Sequence, residues 1–80
     1  MLLPQIAIDF LNANADVNGT AHPGRDDDLF KLGALDSFAL VDLVTMLEQH
    51  CHLTIPDVDC NPENFQTIEV IERYLDSCGS

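Results

Sequence analysis

Apolar residues recur at helical spacing in three separate segments of this 80-residue chain. Residues 4–14, 37–50 and 67–78 each place apolar side chains three or four positions apart, the spacing of one helix face. Pro4 suits a first helical turn, Thr67 suits a helix cap, and Gly79 is expected to end the last segment. We therefore predict three main helices with these bounds. The positions that carry the pattern are Leu3, Ile6, Ala7, Phe10, Leu11, Leu40, Leu43, Val44, Leu47, Ile68, Ile71 and Leu75.

A long connection, residues 15–36, joins the first two predicted helices. The run Asn12–Asp16 has low helix propensity and is expected to end the first helix. Asn18-Gly19 is a turn signal, and an acid of the run Asp26–Asp28 is expected to cap a single helical turn. Apolar residues of this loop are expected to hold it against the core. They are Leu29, Phe30 and Leu32.

A second connection, residues 51–61, precedes the last helix. Its apolar residues alternate with polar ones, as in a strand, but Pro56 lacks the N–H that a paired strand needs. Asn61 followed by Pro62 is a helix-start signal and predicts a short helix over 62–65. The whole pattern predicts an all-α fold: one domain over residues 1–80, a small bundle of three main helices plus one short helix.

The net charge of the chain bears on the class of partner that it can bind. Fourteen acids against three basic residues give a net charge of −11, which repels nucleic acid and anionic membranes and attracts basic protein surfaces. The alternative is that the acidity only keeps the protein soluble, and charge alone does not decide between the two. No apolar stretch approaches the roughly 20 residues that span a bilayer, and the first residues lack the basic segment of a signal peptide. Three irregularly spaced cysteines are poor evidence for disulfides. We expect a cytoplasmic monomer that binds no nucleic acid and does not insert into membranes.

Catalytic and metal-binding interpretations are weak. Ser37 lacks the Gly-x-Ser-x-Gly pattern of a hydrolase, and a chain of 80 residues offers little room for a substrate pocket. His50-Cys51-His52 with Cys60 has the residue types of a zinc site, but the spacing matches no standard zinc pattern. The sequence therefore predicts neither an enzyme nor a metal site.

The start of the second predicted helix carries the most specific signal. Asp36 and Ser37 lie where irregular sequence ends and the apolar helix begins. Asp36 supplies a cap, and the partial positive charge of a helix N-terminus favours a phosphate attached there. Ser37 is therefore interpreted as an attachment point rather than a nucleophile.

The segment Leu35-Asp36-Ser37-Phe38 resembles the acyl carrier protein family, whose hallmark is an Asp-Ser-Leu-like triplet opening the second helix. Ile55-Pro56-Asp57 and the segment Glu63–Ile68 are also similar to that family, so the resemblance covers nearly the whole chain. The Leu-Asp-Ser-Phe variant is most similar to free-standing carriers, including D-alanyl and aminoacyl carriers. The resemblance implies the carrier-protein helical bundle, with its long first loop.

The resemblance also implies a cofactor and a function. Ser37, next to Asp36 in the motif, would carry 4′-phosphopantetheine, whose thiol holds an acyl or aminoacyl group as a thioester. Its partners would be a phosphopantetheinyl transferase, a loading ligase or transferase, and a ketosynthase or another acyl-processing enzyme of fatty-acid, polyketide or related biosynthesis. Ala39 and Leu40 occupy positions that are acidic or polar in many fatty-acid carriers, which weakens the expectation of service to the general fatty-acid synthase.

A second apolar stripe on the second helix suggests a docking face. Phe38 and Val41 are expected to contact partner enzymes, with Asp42 and Glu48 as charged contacts, although burial of both apolar residues is the alternative. A competing interpretation of the chain is an unmodified acidic helical module that binds a partner through this stripe.

Inward-facing residues are candidates for an acyl-chain cavity. They line either such a cavity or an ordinary core. They are Leu43, Leu47, Phe65, Ile68 and Ile71.

Overall fold

The computed structural model describes residues 2–78, and the expected end of the last helix at Gly79 lies outside them. Within this range the chain is all-helical, with α1 over Gln5–Val17, α2 over Ser37–Cys51, α3 over Pro62–Phe65 and α4 over Ile68–Cys78. A single 3₁₀ turn, Asp57–Asp59, lies between α2 and α3. The all-α prediction of three main helices and one short helix is confirmed. None of the helices in residues 2–78 has the length and apolar character to cross a membrane.

Helix α1 is longer than the sequence pattern suggested. It continues to Val17, although the prediction ended it at residue 14. Ala15 is fully buried, so packing of this last turn overrides the low helix propensity of the surrounding polar residues. The polar side chains of the turn have a second use, because Asn14 and Asn18 bind the loop that follows.

Side-chain amides at the end of α1 fix the end of the long loop. Asn14 Nδ2 donates to the Ala34 carbonyl at 3.0 Å, and Asn18 Nδ2 donates to the Gly33 carbonyl at 2.7 Å. Gly33 has a φ of +79°, and a Cβ there would lie 3.2 Å from the Asn18 side chain, so both conformation and space favour glycine. These contacts fix the backbone just before α2, so the chain enters that helix in one defined orientation.

The middle of the loop is bound to the α3–α4 junction. The Leu29 backbone N–H donates to the Gln66 carbonyl at 2.8 Å, and Gln66 Nε2 donates to Asp28 Oδ2 at 3.0 Å. Asp28 Oδ1 accepts from the backbone N–H groups of Phe30 and Lys31, so this acid caps a hydrogen-bonded turn, as the sequence suggested. The Gln66 hydrogen bond is the main cause that lowers the pKa of Asp28.

The core lies between α1, α2, α3, α4 and the inner residues of the loop. Helix α1 packs on α2, and α3 packs on α4. The largest fully buried side chains are Phe65, Leu11, Leu29, Leu35, Leu43, Leu47, Ile71 and Leu75.

Candidate functional site around Ser37

Asp36 caps the N-terminus of α2, so the neighbouring Ser37 is not needed as the cap. Asp36 has extended backbone, and its Oδ1 accepts hydrogen bonds from Phe38 N at 3.0 Å and Ala39 N at 2.8 Å. Two of the four orphan N–H groups of the helix start are thereby satisfied. Leu35, which is buried, fixes the position of this cap from the loop side.

Ser37 is the first residue of α2 and is exposed. Among the hydrogen bonds of residues 2–78 that the structure gives, none uses its hydroxyl. The hydroxyl is thus accessible to a large enzyme, and a phosphodiester built on it would lie at the positive end of the α2 dipole. These properties fit the attachment of a phosphate-linked prosthetic group.

A groove of about 520 Å³ begins at Ser37 and follows α2. Glu48 lies on it eleven residues further along the helix, about 16 Å away at the usual helical rise. The opposite wall comes from the connection between α2 and α3. The residues that line the groove are Phe30, Ser37, Leu40, Val41, Val44, Thr45, Glu48, Ile55, Asp57, Cys60 and Pro62.

The apolar stripe of α2 is exposed. Phe38 is 86% exposed and Val41 is 63% exposed, so the alternative in which both are buried is wrong. Asp42 is exposed beside them. The environment of these three residues is the one a docking face needs, and their role in docking remains a prediction.

Glu48 has a different environment from the exposed acid that the sequence suggested. It is half-buried, and its Oε2 accepts a hydrogen bond of 2.9 Å from the backbone N–H of Ile55. The connection after α2 folds back along the helix and brings a backbone donor to this carboxylate. Glu48 therefore joins the two walls of the groove, which no spacing in the sequence indicated.

The five residues predicted to line an acyl cavity belong to the core. Leu43, Leu47, Phe65 and Ile71 are 0% exposed and Ile68 is 5% exposed, and none of them lines the groove. Their burial is what an ordinary core requires, and their role in lining an acyl cavity stays a prediction.

Several groove residues were missed as site residues by sequence analysis. Leu40, Val44 and Thr45 come from α2, whereas the others come from the long loop, the connection after α2 and the start of α3, which helical periodicity does not connect. Only the resemblance of Ile55-Pro56-Asp57 to carrier proteins pointed to this wall. The missed residues are Phe30, Leu40, Val44, Thr45, Ile55, Asp57, Cys60 and Pro62.

Cys60 is half-buried in the groove wall. Burial is the main cause that raises the pKa of its thiol, and the nearby carboxylates of Asp57 and Glu48 raise it further. A raised pKa keeps the thiol protonated at neutral pH, where it is a poor nucleophile. Over residues 2–78, no cluster of three or more histidine, cysteine or acidic side chains has a metal-binding arrangement.

Known proteins are similar to this chain in sequence and in fold. Residues 7–75 match the sequence model of the family described as the phosphopantetheine attachment site. A D-alanyl carrier protein of Streptococcus mutans is 37% identical over 46 residues, which are 58% of this chain and 58% of that protein. This match thus spans less than two thirds of the relative's length.

A similar structure is a chain in the crystal structure of Bradyrhizobium japonicum glycine:[carrier protein] ligase complexed with glycylated carrier protein. It aligns with a TM-score of 0.60 and 28% identity over 85% of this chain and 96% of that chain. A match of that coverage to an 80-residue chain is a match to the carrier rather than to the ligase. With the family match over residues 7–75, these likenesses show that the chain belongs to the phosphopantetheine-attachment family of carrier proteins, whose cofactor is covalently bound 4′-phosphopantetheine.

Proposed function

We propose that Ser37 bears the phosphopantetheine and that the protein presents a small aminoacyl group, held as a thioester, to partner enzymes. The observation that carries this proposal is the exposed Ser37 hydroxyl at the first position of α2, beside the capping carboxylate of Asp36 and at the mouth of the groove. The prosthetic group supplies the thiol that forms the thioester. The protein supplies the accessible hydroxyl, the helix dipole at the phosphate and the surface that partners bind, and it makes or breaks no bond itself.

The packing of the core supports a small cargo. The five residues expected to line an internal cavity are packed in the core, so a long alkyl chain would have to displace them at a cost of the kind seen in overpacked cores. The groove is also partly polar, because Thr45, Glu48 and Asp57 contribute to its walls. A short aminoacyl group with a polar ammonium suits these surroundings better than a fatty chain.

The named relatives agree with an aminoacyl cargo. One is called a D-alanyl carrier protein, and the similar structure contains a glycylated carrier with a glycine:[carrier protein] ligase. We therefore propose an aminoacyl ligase as the loading partner, next to the phosphopantetheinyl transferase that the cofactor requires. Fatty-acid or polyketide loading, with a ketosynthase as partner, is the competing assignment.

Mass spectrometry of the intact protein tests the attachment residue. After incubation with coenzyme A and a promiscuous phosphopantetheinyl transferase, the wild type should gain one phosphopantetheine and Ser37→Ala none. Ser77→Ala, a change at another exposed serine, is the matched control and should be modified like the wild type. No mass gain by the wild type would instead support the unmodified interaction module.

The cargo is tested on the modified protein. It is offered ATP with a D-alanine or a glycine ligase in one set of reactions, and a malonyl or long-chain acyl donor with its transferase in another. Accumulation of an aminoacyl thioester that hydroxylamine removes supports the proposal. Preferential loading of malonyl or long-chain acyl groups would overturn the aminoacyl part and leave the attachment at Ser37 intact.

A further inference from the structure

Val58 is a large apolar residue that is not part of the hydrophobic core. It is the middle residue of the 3₁₀ turn Asp57–Asp59 and is 82% exposed. A lone exposed valine is ordinary on a protein surface. Val58 is different because hydrogen bonds hold its turn and because its neighbour Asp57 lines the groove of the attachment site.

Hydrogen bonds hold the 3₁₀ turn on both sides of Val58. Before it, the Ile55 backbone N–H donates to Glu48 Oε2 at 2.9 Å, and Ile55 is buried. After it, Tyr74 Oη donates to Asp59 Oδ2 at 2.8 Å. The Val58 carbonyl itself accepts from Asn61 Nδ2 at 3.0 Å. The turn is therefore a rigid support, and an apolar side chain on it is presented to solvent with little conformational entropy left to lose on binding.

The opposite side of the groove carries the other exposed apolar residues of this region. Phe38 and Val41 project from the first turns of α2, and Val41 and Asp57 both line the groove. Three exposed apolar side chains thus belong to the two elements, α2 and the 3₁₀ turn, whose residues Val41 and Asp57 line the groove that begins at Ser37. An enzyme that receives the prosthetic group must approach this mouth.

The negative charge around the groove indicates what kind of partner surface would bind there. Asp36, Asp42 and Asp57 are exposed around the same mouth, and the groove lining contains acids but no lysine or arginine. The net charge of the whole chain is −11, so basic residues elsewhere do not offset these acids. A complementary surface has apolar side chains inside a basic rim, which a second copy of this acidic chain cannot supply.

We infer that Val58 is a second apolar docking contact, so that the loading ligase binds both sides of the groove at once: Phe38 and Val41 on α2, and Val58 on the 3₁₀ turn. This inference rests on the proposed function, since it assigns the surface by which that ligase recognises the carrier. It also gives Glu48 a positioning role, because the Glu48 carboxylate ties the Val58 side of the groove to α2.

The test measures binding of phosphopantetheine-bearing variants to a ligase that loads the wild type, by titration calorimetry and by the KM for the carrier. Val58→Ser should weaken binding by about five- to tenfold at any ionic strength. Val58→Thr, which keeps the shape but replaces one methyl group with a hydroxyl, should fall between Val58→Ser and the wild type. Val17→Ser changes a valine that is 86% exposed at the end of α1 and should bind like the wild type.

Glu48 is tested by a pair of variants. Glu48→Ala removes the acceptor of the Ile55 N–H and should weaken binding, whereas Glu48→Gln keeps an oxygen acceptor and should restore most of it. A direct charge contact would instead make the two variants equally weak at low salt.

The outcomes separate this inference from the function on which it rests. If Val58→Ser binds like the wild type while Val41→Ala binds weakly, docking uses α2 alone and the inference is wrong. An equal loss in Val17→Ser, or sedimentation of the wild type as a dimer that Val58→Ser dissociates, would also overturn it. If the wild type gains no phosphopantetheine, or if no aminoacyl ligase loads it, the proposed function fails first and the inference fails with it.

Discussion

The buried carboxylate of Glu72 on α4 accepts a hydrogen bond of 2.8 Å from the backbone N–H of Leu3, at the other end of the chain. Arg25, from the long loop, donates to the second oxygen of the same carboxylate. Three distant segments are therefore joined at one charged side chain. The hydrogen bond from Arg25 is the main cause that lowers the pKa of Glu72 below its ordinary value of 4.5.

Glu72→Gln should destabilise the protein in a pH-dependent manner. Because the pKa of Glu72 is lower in the folded state, its charged form adds stability that is fully present above pH 4.5 and is lost as the pH falls through the folded-state pKa. The variant should be less stable than the wild type by about 1–2 kcal/mol at neutral pH, since a charge-assisted pair is lost and the amide is only a partial substitute. Urea unfolding from pH 7 down to pH 3 measures the difference.

The control is Glu69→Gln, which removes an exposed pair between Glu69 and Arg73. An exposed pair of this spacing contributes little, so the control should differ from the wild type by less than about 0.5 kcal/mol at any pH. A Glu72→Gln difference that stays constant across the pH range would mean that the charge of Glu72 does not contribute.

Local signals were sufficient to predict where α2 begins. Asp36 is followed at once by an apolar helical pattern, and a cap acts on N–H groups only two and three residues away. The end of α1 and the role of Glu48 depend instead on partners far along the chain or on a folded-back connection. Asn18 binds a carbonyl 15 residues later, and low helix propensity at Asn14 concealed a contact 20 residues away.

Sequence analysis was limited in the same way when it was applied to the groove. On its α2 wall, Val41 was recognised as a site residue from helical periodicity, whereas Leu40 and Val44 were assigned to the core and their place in the groove was missed. Its other wall is made of an irregular connection whose conformation depends on hydrogen bonds to Glu48 and Tyr74. Pattern analysis could place the inward residues of α2 in the interior, but not distinguish a packed core from a cavity, because that difference depends on how closely the helices approach.

Asp36→Ala should reduce stability by about 1 kcal/mol, because two backbone N–H groups at the start of α2 lose their acceptor. Loss of the cap should also fray the first turn of α2. Because Ser37 lies in that turn, phosphopantetheine transfer should be slower. Asp36→Asn keeps a capping oxygen and should retain most of the stability. Thermal unfolding and the rate of mass gain measure the two effects. Equal stability of wild type and Asp36→Ala would show that the cap is not needed.

Leu47→Ala should cost about 2–5 kcal/mol, because Leu47 is fully buried and its truncation leaves a cavity. Urea unfolding with Val17→Ala as an exposed control checks this, and the control should change little. A Leu47 substitution as mild as the control would indicate space around this side chain, and would revive the internal acyl cavity in place of the packed core.

Loading of the modified protein should depend on Val41 and Asp42 in different ways. Val41 is a central apolar contact of the proposed docking surface, and truncating such a contact weakens binding by roughly 1 kcal/mol or more. Asp42 is an exposed rim charge, and rim charges act mainly through the association rate. Val41→Ala should therefore lower kcat/KM for the ligase at every salt concentration, whereas Asp42→Asn should lower it mainly at low salt, where screening is weak.

The measurement is kcat/KM of the loading ligase for each modified variant as a function of ionic strength, after circular dichroism shows that each is folded. Both side chains are exposed, so neither substitution should change stability by more than about 0.5 kcal/mol. Asp9→Asn, at an exposed acid of α1, is the matched control for a general loss of negative charge. If Asp9→Asn slows loading as much as Asp42→Asn does, the ligase senses net charge rather than a local contact. If Val41→Ala loads like the wild type, the apolar part of the docking surface does not include Val41.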